Sequence, residues 1–144
     1  MVGSLNEDES RGYRWLKSAR KTGGFVQVTS PGRTDDQIAL EIMHFSRKTS
    51  ALERSRSVKM HIDIDVELAF YEESCRCDLL TPAMLTKLEA AASAEISRQI
   101  KRCIMRSQQF NSDILGWGLI LQQHHPDAWK SLGPEWNNKY PFID

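Results

Sequence analysis

Thirteen residues in the middle of the chain constrain its fold more than any other segment. From Val58 to Phe70 every even position is apolar, while most odd positions are polar or charged. Because successive side chains of a strand point to opposite faces of a sheet, this alternation predicts one long strand with a buried face and a hydrated face. A shift of one residue would expose all seven apolar side chains, so we expect a fixed pairing register.

Two weaker strand signals precede this segment. A short β-prone run at 25–28 is followed by a Ser-Pro-Gly-Arg turn at 30–33, and a second run extends from Ile38 to about Lys48. The polar residues 50–57 are expected to reverse the chain towards the third strand. These signals predict a small antiparallel sheet of three to four strands.

The hydrophobic period changes after residue 80. Thr81 supplies a capping hydroxyl, and Pro82 suits the first position of a helix. Apolar residues then recur every three or four positions as far as about Gln109, which predicts a long amphipathic helix. Its basic residues, such as Arg98 and Arg102, are interpreted as part of a solvated face.

Shorter helices are predicted in the C-terminal third. Asn111 or Ser112 is expected to cap a helix that has Asp113 in its first turn and ends near His125, and two further turns are expected before Pro141. The predicted fold class is therefore α+β, with the sheet packed against the long helix and a second, shorter helical segment. We interpret 1–22 as a linker or lead-in that has room for one short ordered piece, and 23–144 as one domain.

Charge and cysteine content exclude several classes of protein. Lys plus Arg and Asp plus Glu each number 19, so the zero net charge does not favour binding to nucleic acid or to an anionic membrane surface. Direct membrane insertion by this chain is not expected either. The three cysteines do not form a disulfide scaffold. No apolar stretch approaches the ~18 residues of a membrane span, and the acidic start at 1–11 differs from a signal peptide. We expect the chain alone to be soluble, without a signal or anchor.

Two groups of residues suggest a metal site or acid–base catalysis only weakly. Cys75 and Cys77, taken with His124-His125, lack the spacing of a common zinc motif. The odd positions of the long strand, His61 to Glu67, could hold a cation or supply acid–base groups, but an exposed strand face paired with residues such as Arg47 explains them better. Without a nucleophile beside a base, the chain is not expected to be an enzyme or to use a metal or cofactor.

Glycine and tryptophan are concentrated near the C-terminus. Gly116 and Gly118 inside a helix would each cost about 1 kcal/mol relative to Ala, which close packing around Trp117 would offset; a hinge or a partner-docking position is the alternative. The aromatic residues that follow either close the core under irregular chain or form a binding face. They are Trp129, Trp136, Tyr140 and Phe142.

The same region carries a family resemblance. The strings SDILGWG at 112–118, PDAWK at 126–130, EW at 135–136 and YP at 140–141 resemble, in order and spacing, the last domain of the Ger(x)C family, the C subunits of spore germinant receptors. Upstream features fall in register as well, so that the resemblance extends from about Glu9 to Pro141.

The resemblance implies a function and partners. Family members are expected to be lipoproteins at the spore inner membrane, held by an N-terminal lipid anchor that this sequence lacks, with two preceding domains and a final strand after the aromatic–Pro step. The implied function is non-catalytic assembly with membrane A and B subunits during nutrient-triggered germination. Direct binding of a nutrient germinant, or a truncated remnant without function, are the alternatives.

The resemblance also selects candidate partner-docking residues. They are Asp113, Gly116, Trp117, Gly118, Pro126, Trp129 and Trp136.

Overall fold

The computed structural model describes residues 3–17, 24–31, 36–54, 57–73 and 81–144. Five helices, three strands and two 3₁₀ turns lie in these ranges. In chain order they are α1 (Glu7–Lys17), β1 (Phe25–Thr29), β2 (Gln37–Arg54), β3 (Ser57–Glu73), α2 (Pro82–Gln109), α3 (Trp117–His124), α4 (Pro126–Leu132), a 3₁₀ turn (Gly133–Glu135), α5 (Trp136–Lys139) and a second 3₁₀ turn (Tyr140–Phe142).

The three strands form one antiparallel sheet in the order β1-β2-β3. The alternating segment lies within β3, which confirms the long strand predicted there. β2 is longer than predicted, because residues 50–54 stay paired with β3 instead of reversing the chain. Ala51 is buried opposite Met60, so the apolar alternation of the sheet continues through this part of β2. The Ser-Pro-Gly-Arg turn and the chain reversal fall largely outside the described residues.

The hydrated face of the sheet carries the acidic side chains of β3. His61, Asp63, Asp65 and Glu67 are all exposed, as predicted. The prediction that Arg47 pairs with these side chains on the hydrated face is wrong. It lies opposite Ile64 on the helix side of the sheet, where its guanidinium donates a hydrogen bond to the backbone carbonyl of Trp15 at 3.1 Å.

The long helix has the predicted start and end. The hydroxyl of Thr81 accepts a hydrogen bond from the backbone N–H of Met84, Pro82 opens the helix, and Gln109 is its last residue. Its apolar stripe packs on the sheet, which confirms the α+β architecture. The first core cluster, at the β1 end, comprises Trp15, Val26, Val28, Ile38, Leu40, Phe45, Leu88, Ala92 and Ile96. The second comprises Leu16, Ala51, Val58, Met60, Cys103, Leu115, Trp117, Leu121 and Tyr140.

Helix α1 occupies residues that were predicted to be a linker. The side chain of Asn6 accepts from the backbone N–H of Glu9, and Glu9 accepts in return from that of Asn6, a reciprocal capping arrangement that starts the helix. Trp15 and Leu16 are buried, one in each core cluster. Their burial, with an N-terminal cap, explains why Glu7–Lys17 is a packed helix rather than a linker.

Ion pairs join α1 to the basic side of α2. The carboxylate of Asp8 contacts Arg98 at 2.7 Å and Arg102 at 2.6 Å. The hydrogen bond from Arg98, together with the charges of both guanidinium groups, lowers the pKa of Asp8. These arginines therefore contact a neighbouring helix, which corrects their interpretation as a purely solvated face.

Removing the Asp8 charge is expected to weaken the protein mainly above pH 4. A lowered folded-state pKa means that the stabilisation is complete above the ordinary value of 3.8 and is lost as pH falls through the folded-state value. Because the pair is partly exposed, we expect Asp8→Asn to cost only about 0.5–1 kcal/mol at neutral pH and almost nothing in strong acid. Urea unfolding across this pH range measures the difference.

Glu7→Gln is the matched control for Asp8→Asn. Glu7 lies in the same first turn of α1, but its carboxylate pairs with Arg11 of its own helix. An equal loss of stability in both variants would contradict a specific contact between α1 and α2, since it would then reflect only the helix dipole.

Candidate functional site

The carboxylate of Asp113 organises the loop between α2 and α3. One oxygen accepts a hydrogen bond from the backbone N–H of Trp117 at 3.0 Å, and the other accepts from that of Gly118 at 2.8 Å. N–H groups in the first turn of a helix have no partner within the helix. Asp113 therefore caps α3 and places a negative charge at the positive end of its dipole.

Helix α3, which follows the long helix, starts later than the sequence predicted. A cap at Asn111 or Ser112 was expected, but Trp117 is the first helical residue. Gly116 precedes it with φ 71° and ψ 30°, a left-handed conformation that favours glycine. The predicted cap is therefore wrong, and Gly116 lies at the boundary of α3 rather than inside it.

Gly118 lies inside α3 and allows two indole rings to approach the helix. A Cβ atom at this position would lie 2.9 Å from Nε1 of Trp136 and 3.2 Å from Cη2 of Trp129. The same Trp136 nitrogen donates a hydrogen bond to Asp113 at 3.2 Å. Close packing at this glycine was predicted around Trp117, whereas the rings that approach it belong to Trp136 and Trp129.

Four aromatic side chains, here called the aromatic cluster, pack in series. Trp129 and Trp136 have ring centroids 5.5 Å apart, Trp136 and Tyr140 5.7 Å, and Tyr140 and Trp117 5.9 Å. These tilted and edge contacts are among the favoured arrangements of aromatic pairs. Trp117 and Tyr140 are buried, while Trp129 and Trp136 remain partly exposed. The cluster therefore joins the core to a solvent-facing surface.

Two contacts fasten this cluster to the end of α2. The hydroxyl of Tyr140 forms a hydrogen bond with that of Ser107. The side-chain amide of Gln108 donates to the backbone carbonyl of Ile143 at 2.7 Å. The chain after α5 is therefore held against the long helix rather than extending freely from it.

Most of the predicted site residues meet at this point. Asp113 accepts hydrogen bonds from the backbone N–H groups of Trp117 and Gly118 and from the indole of Trp136. The rings of Trp129 and Trp136 pack against each other and over Gly118. Gly116 shapes the turn before them. Pro126 is exposed and opens α4, and the aromatic residue Phe142 is 84% exposed.

The buried ionisable groups nearby are not reactive ones. Burial raises the pKa of the Cys103 thiol to about 11 and that of the Tyr140 hydroxyl to about 12. Both groups stay protonated at neutral pH, so neither is an activated nucleophile. Among the described residues no group of three or more His, Cys, Asp or Glu could hold a metal ion. Cys75 and Cys77 lie outside those residues.

Sequence reasoning missed a cavity beside α1. It has a volume of about 290 Å³ between α1, β1 and α2, with side chains of Arg11, Arg14, Trp15 and Gln99 in its wall. The Gln99 side chain is buried, accepts from the indole N–H of Trp15 at 3.0 Å and donates to Glu95 at 2.8 Å. The cavity was missed because its α1 wall lies in residues 1–22, which were interpreted as a linker or lead-in. The Asn6-x-x-Glu9 spacing, which is typical of a helix start, could have indicated α1.

A family model described as spore germination B3/GerAC-like, C-terminal, matches residues 1–144. The chain belongs to this family. Two relatives from Bacillus subtilis (strain 168) are similar along nearly the whole chain. Spore germination protein KC is 24% identical over 136 residues, which is 94% of this chain and 33% of that protein. Spore germination protein YndF is 21% identical over 145 residues, covering 100% of this chain and 35% of that protein.

A solved structure has the same fold as this GerAC-like chain. The crystal structure of the GerBC protein superposes with a TM-score of 0.82 at 20% identity, covering 99% of this chain and 44% of that one. The likeness confirms the expected α+β fold, and membership of the family indicates a role related to spore germination. The GerAC-like family consists of germinant-receptor subunits and is not a known enzyme family.

The GerAC-like chain spans about a third of the length of the curated relatives that it matches. In the part of the chain that the structure describes, no helix combines the length and apolar character needed to cross a membrane.

Proposed function

We propose that this GerAC-like chain is a non-catalytic interaction domain of a spore germinant receptor. In this role it assembles with membrane A and B subunits and takes part in nutrient-triggered germination. A lipid anchor at the N-terminus of the longer family protein would hold the complex at the spore inner membrane. The observation that carries the proposal is the family match across residues 1–144.

The aromatic cluster is the surface that we assign to the receptor contact. Trp129 and Trp136 are partly exposed on a support that is fixed by Asp113 and Tyr140. Tryptophan is favoured at the centres of protein interfaces, and a side chain that is already held in place loses little conformational entropy on binding. This geometry supports binding of a protein partner more directly than it supports catalysis.

Copurification tests the proposed assembly. The natural protein that contains the chain would be tagged, and membrane proteins would be extracted from dormant spores with mild detergent. We expect A and B receptor subunits to copurify, and germination with nutrients to slow when the domain is deleted. Unchanged germination together with the absence of both subunits would contradict the proposal.

A substitution at Leu119 tests the assigned surface. Leu119 is 56% exposed on α3, the helix that carries Gly118. Leu119→Asp should reduce copurification of the subunits without lowering stability by more than about 0.5 kcal/mol. Leu85→Asp is the matched control, since it makes the same substitution at an exposed leucine near the start of α2, at the opposite end of that helix from the cluster.

Nutrient binding is the second candidate function, and the cavity beside α1 is the observation that favours it. Guanidinium groups of Arg11 and Arg14 with an apolar wall suit a small carboxylate such as an amino acid. However, both ends of the Gln99 amide are already hydrogen-bonded, and Arg11 pairs with Glu7. Calorimetry with amino acids would separate the two functions, because saturable binding that Arg14→Ala abolishes would favour the nutrient site.

A further inference from the structure

Two irregularities in the pairing of β2 with β3 add exposed apolar side chains to the sheet. One register shift leaves Tyr71 as an extra residue of β3, without a partner in the described register of β2. A second shift leaves Met43 as an extra residue of β2. Both side chains are exposed. Bulges of this kind redirect a side chain and are common beside functional sites, so these two positions are candidates for contact with a partner.

Tyr71 and Met43 lie near Phe25 on the hydrated face of the sheet. Phe25 is exposed while the next residue, Val26, is buried in the first core cluster, so Phe25 points away from α2. The rings of Phe25 and Tyr71 have centroids 4.5 Å apart, although their strands lie on either side of β2. Ile42 packs against the core, so Met43 points to the hydrated face as well. We call Phe25, Met43 and Tyr71 the outer apolar patch.

Three carboxylates border the outer apolar patch. Glu41 lies opposite Phe25 in the pairing of β1 with β2. Glu67 lies opposite the residue that follows Met43, and Asp65 is exposed on the same face, two residues from Glu67. Within the described ranges none of these three carboxylates forms an ion pair. Their negative charge is therefore available to a partner that carries lysine or arginine.

We propose that the outer apolar patch binds a basic amphipathic helix of another protein. Apolar side chains of that helix would cover Phe25, Met43 and Tyr71, and its lysine or arginine side chains would lie beside the three carboxylates. A helix on the face of a sheet is the packing that α2 already makes on the opposite side. The aromatic cluster is fastened to the end of α2, so the proposed receptor contact is a separate surface and either proposal can fail without the other.

Two other occupants fit the outer apolar patch less well. An anionic membrane surface attracts basic segments and would be repelled by Glu41, Asp65 and Glu67. A symmetric pair of copies would use the same surface on both chains, which would bring the same carboxylates of the two copies together. Like charges brought together at an interface suppress association. The charge beside the patch therefore favours a basic protein partner over both.

The test uses two synthetic helical peptides of about 18 residues that share one leucine stripe, with lysine at the other positions of one peptide and glutamate in the second. NMR of methyl-labelled methionine reports on two faces of the chain at once, because Met43 is 59% exposed on the patch and Met105 is 58% exposed on α2. We expect the lysine peptide to bind at least about tenfold more tightly than the glutamate peptide. It should shift the methyl signal of Met43 and leave that of Met105 unchanged.

Matched variants separate the patch from general attraction between charges. Met43→Gln should weaken binding of the lysine peptide about threefold or more, whereas Met105→Gln, which is equally exposed, should not. The double variant Asp65→Lys, Glu67→Lys changes two exposed positions, so it should fold and should prefer the glutamate peptide.

Four outcomes would overturn the proposal. Two of them are equal affinity of the unaltered chain for both peptides, and equal weakening by Met43→Gln and Met105→Gln. A Met43 signal that shifts on phosphatidylglycerol vesicles would instead make the patch a membrane contact. A Met43 signal that shifts with protein concentration, without any peptide, would make a second copy the occupant.

Discussion

The Gly12→Val variant is expected to lose about 3–4 kcal/mol of its free energy of unfolding. A Cβ atom at position 12 would lie 2.1 Å from the backbone carbonyl oxygen of Gln99 and 2.7 Å from the Cβ of Cys103. Neither atom can rotate away, because one belongs to the backbone of α2 and the other is fixed directly to it. The substitution therefore requires α1 to move off α2, and urea unfolding of purified variants measures the cost.

Two further variants separate the steric effect from helix propensity. Arg14→Val places the same side chain at an exposed position of α1, where we expect a loss of less than about 1 kcal/mol. Gly12→Ala should also destabilise the protein, although alanine is favoured over glycine in a helix by about 1 kcal/mol. A stabilised Gly12→Ala variant would show that the two helices are not in close contact at this point.

Displacement of α1 would affect both core clusters. Trp15 packs against Phe45 with ring centroids 5.4 Å apart, and its indole N–H bonds to the buried Gln99 side chain. Without α1 that amide would lose a hydrogen bond inside the protein, which costs about 1–3 kcal/mol. We therefore expect Gly12→Val to unfold the chain cooperatively rather than to release α1 alone.

The sequence predicted the elements whose patterns are long and local. β3 followed from strict alternation, and α2 followed from a regular stripe that begins at Thr81-Pro82. In each case the hydrophobic period extends over many residues, so that it outweighs single exceptions. The family resemblance, confirmed by the match across residues 1–144, was likewise predicted from strings of adjacent residues.

Helix α1 could not be predicted in the same way. It has 11 residues, and its glycine and charges obscure the apolar face formed by Trp15 and Leu16. Its stability depends on residues far along the chain, since Asp8 pairs with Arg98 and Gly12 contacts Gln99. Isolated helices of this length are marginal in water, so the sequence of the segment alone did not distinguish it from a linker.

The sequence analysis named most of the residues that meet at the candidate site, but it did not predict how they are arranged. The two glycines indicated a close approach, yet Gly116 serves a left-handed turn and only Gly118 lies under aromatic rings. Asp113 was placed in the first turn of a helix, whereas it caps the helix from the preceding loop. Which rings reach Gly118 depends on how α4 and α5 fold back, and no periodic pattern encodes that.

Leu121→Ala is expected to cost about 3–4 kcal/mol of unfolding free energy. Leu121 is 0% exposed and packs in the second core cluster with Trp117 and Tyr140. Removing its branched end leaves a cavity beneath the aromatic cluster, which rigid surrounding helices fill only partly. Urea unfolding followed by tryptophan fluorescence measures the loss, because three of the four tryptophans lie in this cluster.

Leu119→Ala is the matched control, since it makes the same substitution two positions earlier in α3 at a residue that is 56% exposed. We expect it to change stability by less than about 0.5 kcal/mol, because leucine and alanine have similar helix propensities. Equal losses in the two variants would contradict the packing described for α3.

If the aromatic cluster contacts the receptor, Leu121→Ala should weaken copurification of the A and B subunits by loosening the support of Trp136. Leu119→Ala keeps that support in place, so weaker copurification of this variant would report contact with the partner, and the two variants together separate support of the surface from that contact.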